Sequence, residues 1–327
     1  MRFVLLLPAL WACDGATPKD TGSDTVGETD TVPVETTLDP ATVPLAGSCP
    51  LDTRWGGFEL TSSSGRDSYA TVSGMVSDGV VPITVLTALG SAEDCQLLRR
   101  ENLFCDPACN PDQTCDFDGT CIPYPTTQEL GTATMTGLLV PVVMEPVEPG
   151  FKYFNTSLPF PAFEAGSVIT LTTTGGLYAP LELHGVGVEP LVIPEGDMIL
   201  QRDTPIAIRW TAPAGPVRSE LYARITVDQH GVTPVQIACV TADDGELDVP
   251  AELVTQLIDL GVTGFPNGVV HRRTVDSAPV GDGGCAELVV NAPQELSIRV
   301  DGFVPCDDPS DCPDDQTCNL VTGLCEI

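Results

Sequence analysis

The side chains with the widest chemical options in this sequence are its 13 cysteines, and most of them are clustered. Cys105, Cys109, Cys115 and Cys121 form one group, and Cys306, Cys312, Cys318 and Cys325 form a second at similar spacing. Asp112-Gln113-Thr114-Cys115 recurs as Asp315-Gln316-Thr317-Cys318, so the two groups are copies of one small module. Clustered thiols either hold zinc or oxidise in pairs. Neither group has Cys-x-x-Cys hooks or neighbouring histidines, which favours disulfides and assigns no metal. Each module closes on Gly-x-Cys, at Gly119 and Gly323, as a final turn made by glycine requires. Four cysteines allow three pairings, of which an interlocked first-to-third, second-to-fourth scheme suits so small a unit. Cys49, Cys95, Cys239 and Cys285 pair most simply within their own domains, as Cys49 with Cys95 and Cys239 with Cys285.

The other reactive groups are sparse. His184, His230 and His271 stand far apart with no local nucleophile, and read as surface or strand residues. No Gly-x-Ser-x-Gly, Ser-x-x-Lys, His-Glu-x-x-His or phosphate-binding glycine loop occurs, so no catalytic residue and no cofactor is assigned. Ala242-Asp243-Asp244-Gly245-Glu246 faintly resembles the Asp-Thr-Gly-Ser loop of aspartic proteases. Asp244 and Glu246 add charges where a proton-sharing dyad tolerates only two carboxylates, so the stretch reads as an acidic turn capping a helix at Pro250. Asp112, Asp116 and Asp118 supply only a fragment of a calcium loop and read as solvated turns. Trp55 and Trp210 read as core residues.

The amino terminus carries an address. Arg2 precedes an apolar run from Phe3 to Trp11 that is too short to span a bilayer. Leu10-Trp11-Ala12-Cys13 then resembles the bacterial lipobox, which implies cleavage before Cys13 and its acylation. Setting Cys13 aside leaves an even number of cysteines to pair in an oxidising compartment. Residues 1–12 are therefore the signal peptide. Residues 13–47, rich in Thr, Asp, Gly and Pro, form an extended acidic stalk with too little apolar surface to fold.

The elements that must position these groups are mainly strands. Residues 57–60, 68–76, 80–86, 131–138, 168–172, 205–210, 220–227, 287–290 and 297–300 are rich in β-branched and aromatic residues, with alternation in several. One short helix follows Pro250 and stops before Gly261. The fold class is mainly β: two antiparallel β-sandwich-like domains, two small disulfide-rich modules and one short helix. The first domain spans 48–140 with the module 105–121 inserted in it. The second spans 141–302 with the helix near 250–260, and 303–327 is the carboxy-terminal module.

With 46 Asp plus Glu against 14 Lys plus Arg, the net charge of −32 excludes nucleic acid as a partner. The lipobox, stalk, cysteine modules and paired β domains together resemble the cysteine-rich surface lipoproteins of myxobacteria. That resemblance implies attachment to a membrane through the amino-terminal lipid, at the outer membrane or cell surface rather than the inner membrane. The leading expectation for activity is a non-enzymatic ectodomain whose sandwich and cysteine modules contact envelope proteins or glycans. A secreted hydrolase with a site assembled only in space, and a calcium-dependent adhesion module, are the alternatives. In a bacterial host the wild-type chain is expected to gain diacylglyceryl mass and partition into detergent, and Cys13→Ser to do neither; intact mass spectrometry with phase separation reads both.

Overall fold

The computed structural model of the chain describes residues 38–326 except 66, 215–217, 228–233, 264–265 and 322. Cys13 and His230, with the expected signal peptide and the expected stalk up to residue 37, lie outside the described residues. The architecture is mainly β, with the single helix Ala251–Asp259. Its centre is a hairpin of two long strands, Asn267–Val280 and Gly284–Val300, in unbroken antiparallel register. An 11-stranded sheet grows outward from this hairpin. On one side Gly284–Val300 pairs with Arg54–Ser63, followed by Tyr69–Ser77 and Tyr153–Asn155. On the other side Asn267–Val280 pairs with Glu220–Thr226, followed by Val235–Ala242, Cys95–Arg100 and Leu86–Ala92.

This order corrects the sequential division at residue 140. Strands from residues 54–100 flank both sides of a hairpin that lies near the end of the chain, so 48–140 and 141–302 are not separate sheets. Two hydrophobic cores do exist, and each is discontinuous in sequence. One gathers Phe58, Leu60 and Val72 with Met135, Leu171, Leu183, Leu288 and Val290. The other gathers Leu97, Ile208, Leu221, Ile237, Leu253, Val270 and Ile298. Both lie on one face of the sheet, because the even-numbered hairpin residues from Val270 to Val280 and from Ala286 to Val300 share that face. A four-stranded sheet, Glu182–Val186, Val168–Thr173, Ala133–Thr136 and Val142–Met144, covers the first core. The helix, with Leu253, Val254, Leu257 and Ile258 buried, covers the second. Two of the sheet's pairings, Arg54–Ser63 and Asp197–Leu200 against Gly284–Val300, are parallel, where the sequence suggested antiparallel strands alone.

The junction between the cores is polar and dry. Arg272 has Leu221 of one core beside it in the neighbouring strand and Ala292 of the other core on its other side. Its guanidinium, 2% exposed, meets the fully buried Asp243 carboxylate at 2.8 Å and donates to the carbonyls of Pro190 (3.1 Å) and Thr211 (2.6 Å). Asp243 also accepts from Trp210 Nε1 (2.8 Å) and Ser219 Oγ (2.6 Å). The acidic turn at 242–246 is thus corrected: Asp243 points inward to Arg272, and the helix begins at Pro250 with no side-chain cap. Trp210 is core, as expected. Trp55 is only partly buried and lies across the hairpin turn, where a Cβ on Gly284 would meet its ring at 2.1 Å.

The disulfides follow the sheet rather than sequence proximity. Cys95 pairs with Cys239, directly opposite across neighbouring strands, and Cys49 pairs with Cys285; this corrects the local pairings. Both modules use the interlocked scheme, Cys105–Cys115 with Cys109–Cys121 and Cys306–Cys318 with Cys312–Cys325. Gly119 and Gly323 have φ of 80° and 66° at the expected turns. Residues 38–47, expected to belong to the stalk, instead join the compact unit that begins at Leu38. Val43 is buried, its carbonyl accepts from Arg218, and the Ala46 amide donates to Asp276 Oδ1 (2.8 Å). Residues 80–86, expected as strand, instead make a 3-10 turn at Pro82–Thr84, because Pro82 has no amide to give a ladder.

Removing one partner of a buried ion pair strands the other charge at a cost of about 3–5 kcal/mol. Arg272→Ala is therefore expected to lower the unfolding free energy by about that much in denaturant titrations. Adding Asp243→Asn should recover part of the loss, since Asn removes the charge and keeps an acceptor for Trp210.

Candidate functional site

The face of the sheet opposite the cores holds a hollow, a trough of about 530 Å³. Strand alternation explains its lining: Glu59, Ser73, Phe154, His271, Arg273 and Asn291 come from positions that point away from the cores. Phe154, Ser73, Glu59 and Val289 stand in one row across four neighbouring strands. Small residues make the floor. Gly57 cannot carry a side chain, because a Cβ there would lie 2.2 Å from the Glu287 carbonyl oxygen. Longer side chains make the walls, with Met75 (40% exposed) and Phe154 (57% exposed) on one side.

The charged groups are mostly held in place by partners. Glu287 is buried, takes the Cys49 amide and pairs with Arg54 Nε at 3.1 Å. Arg273 binds Glu220 at 2.8 Å and lies over the Tyr222 ring at 4.4 Å. Glu59 accepts from Asn291 Nδ2 at 2.6 Å. Lys152, one of two lysines in the sequence, is exposed and makes no ion pair among the described residues. His271 lies beside Tyr222, with ring centroids 5.7 Å apart. Burial pushes its imidazole below the usual value. The Glu59 charge and the Asn291 amide oppose that shift, and the Arg273 and Arg224 charges add to it. Asn291 is itself fully buried, and its Oδ1 faces His271 outside hydrogen-bonding geometry.

The residues singled out by sequence scatter. The 12 described cysteines are all in disulfides, so the thiol groups that sit close enough for a metal are already cross-linked. His184 is buried, with its backbone amide on Asp276, far along the hairpin from His271. Asp116 and Asp118 spend carboxylate oxygens on their own turn, Asp116 on the Phe117 amide and Asp118 on the Thr120 hydroxyl and amide. The Thr120 bonds hold the Asp118 carboxyl below the usual range. A second hollow of about 500 Å³ separates this module from the sheet, with Phe117 and Tyr124 on its walls. Of the trough residues, sequence reading singled out His271 and no other. Glu59, Phe154 and Asn291 belong to ordinary strand runs, and only the scarcity of lysine marks Lys152.

No protein-family model matches the chain, and no curated protein matches it. Among solved structures it is similar to a protein described as a Ca²⁺-stabilized adhesin that helps an Antarctic bacterium reach out and bind ice. The match has 9% identity and covers 76% of this chain and 75% of that one. Its TM-score is 0.19, too low for the two folds to be compared element by element.

The lowered His271 value has a sign that can be measured. Below the ordinary value of 6.5 the unfolded chain binds a proton that the folded chain does not yet accept. Stability is therefore expected to fall as pH drops from 6.5 toward the lower folded value, and to level off beneath it. His271→Gln should flatten this part of the pH profile in thermal or denaturant unfolding.

Proposed function

We propose that this chain is a lipid-anchored protein of the cell envelope whose ectodomain is non-enzymatic and binds its partner in the trough on the open face of the sheet. One observation carries the reading: a hollow of ligand size, within the range of about 300–1,000 Å³ usual for such sites, is built on a sheet braced by two disulfides. Rigid strands hold its side chains at fixed spacing, which suits recognition. Three of the charged groups in the trough are held by partners: Glu287 by Arg54, Arg273 by Glu220 and Glu59 by Asn291. The rim leaves Phe154 and Met75 exposed, as a contact surface requires. Among the described residues no helix is long and apolar enough to cross a membrane, and the proposed attachment is the lipid on Cys13.

The test uses the full-length protein in detergent with isolated envelope material, membranes and cell-wall sacculi, in a sedimentation assay. Wild type is expected to co-sediment saturably, and Phe154→Ala/Glu59→Gln to lose about tenfold in affinity with an unchanged melting temperature. Equal sedimentation of the two proteins, or none by the wild type, overturns the trough as the binding surface.

A further inference from the structure

We infer that the trough takes a neutral, hydroxyl-rich ligand, a saccharide chain without charged substituents, with its ring face on Phe154. The inference rests on the reading of the trough as a binding surface and specifies what it binds. Charge makes the first selection. An anion would meet Glu59, whose hydrogen-bond partners Asn291 and Thr61 are uncharged, within a protein of net charge −32. A cation would meet Lys152, with the guanidiniums of Arg54 and Arg273 beyond it. A ligand of either sign thus meets a like charge within the trough, and a ligand without charge meets none.

Hydrogen-bonding capacity makes the second selection. Lys152 offers only donors, and the Glu59 carboxylate only acceptors. A hydroxyl both donates and accepts, so one class of ligand group satisfies both ends of the site. Neighbouring strands lie about 4.8 Å apart, which places Phe154 and Glu59, two strands apart in one row, about 10 Å from each other. Ser73 lies between them, small and itself both donor and acceptor. An exposed aromatic ring, a low floor and a fixed carboxylate thus succeed one another along a single row. Lys152 lies two residues before Phe154 in sequence and also lines the trough.

The third element is rigidity. Asn291, fully buried beneath the trough, fixes the Glu59 carboxylate through its amide at 2.6 Å. A polar group buried there without a core role supports a carboxylate that faces the trough, and it costs stability unless it has such a task.

The experiment is titration of the full-length protein in detergent with defined oligosaccharides. Malto-, cello-, xylo- and laminari-hexaoses are the neutral probes, and hexagalacturonate and the chitosan hexamer are the anionic and cationic ones. At least one neutral probe is expected to bind with a dissociation constant below about 1 mM, with neither charged probe binding more tightly. Phe154→Ala should weaken that binding about tenfold and Phe154→Tyr retain it, while Glu59→Gln weakens it with the melting temperature unchanged. Tighter binding of a charged probe, no neutral binding, or full binding by Phe154→Ala overturns the inference. Envelope sedimentation that still depends on Phe154 and Glu59 would then leave the trough as the binding surface with another class of ligand. Loss of that dependence as well would remove the binding surface itself.

Discussion

A guanidinium out of contact with water must find a counter-charge and hydrogen-bond acceptors, or the fold that buries it fails. In this protein the requirement is met at one place, where Arg272 enters the seam between two cores and meets Asp243. Four elements distant in sequence converge there: the hairpin with Arg272, the turn with Asp243, the segment with Trp210 and Thr211, and the carbonyl of Pro190. Each of these elements supplies the buried pair with a hydrogen-bond partner or a counter-charge. The pair thus fixes how the two halves of the sheet are phased against the layers that cover them, whatever its net contribution to stability.

The interleaving of the two cores has the same origin. A hairpin whose strands run to 14 and 17 residues is too long to be covered by a single layer. One end is covered by the four-stranded sheet and the other by the helix and a short strand pair, Ile206–Arg209 with Glu246–Val249. The chain supplies these layers in alternation, so both cores depend on the hairpin near the end of the sequence. The disulfides Cys49–Cys285 and Cys95–Cys239 close the largest sequence separations, 236 and 144 residues. In the chain-entropy view, loops of that size taken singly give about 5–5.5 kcal/mol each by restricting the unfolded chain.

Local features were legible in the sequence. The helix after Pro250, the repeated modules with their closing glycines, and strands such as Glu220–Thr226 and Val168–Thr173 follow from periodicity and turn chemistry within a few residues. The central strand Asn267–Val280 was not, because His271-Arg272-Arg273-Thr274-Val275-Asp276 reads as a polar stretch. Its burial depends on partners, Asp243 and Glu220 among them, that only the topology supplies. The long-range disulfides were missed for the same reason: nearest-cysteine pairing assumes local domains, and the neighbours of Cys95 and Cys285 come from the opposite ends of the chain. The trough was illegible because it is made by what is small, Gly57 and Ser73, as much as by what is charged.

The docking of residues 38–49 against the hairpin also has a mechanical meaning. A pull on the chain ahead of Leu38 first loads the contacts of Val43 and Ala46, and then arrives at the Cys49–Cys285 bond. That covalent link passes the load into the start of Gly284–Val300 before it can reach Arg54–Ser63. The strand that carries Gly57 and Glu59 is thereby loaded only after the hairpin when the chain is pulled from its amino-terminal side. Reduction of this one bond would redirect the same force into the edge of the trough.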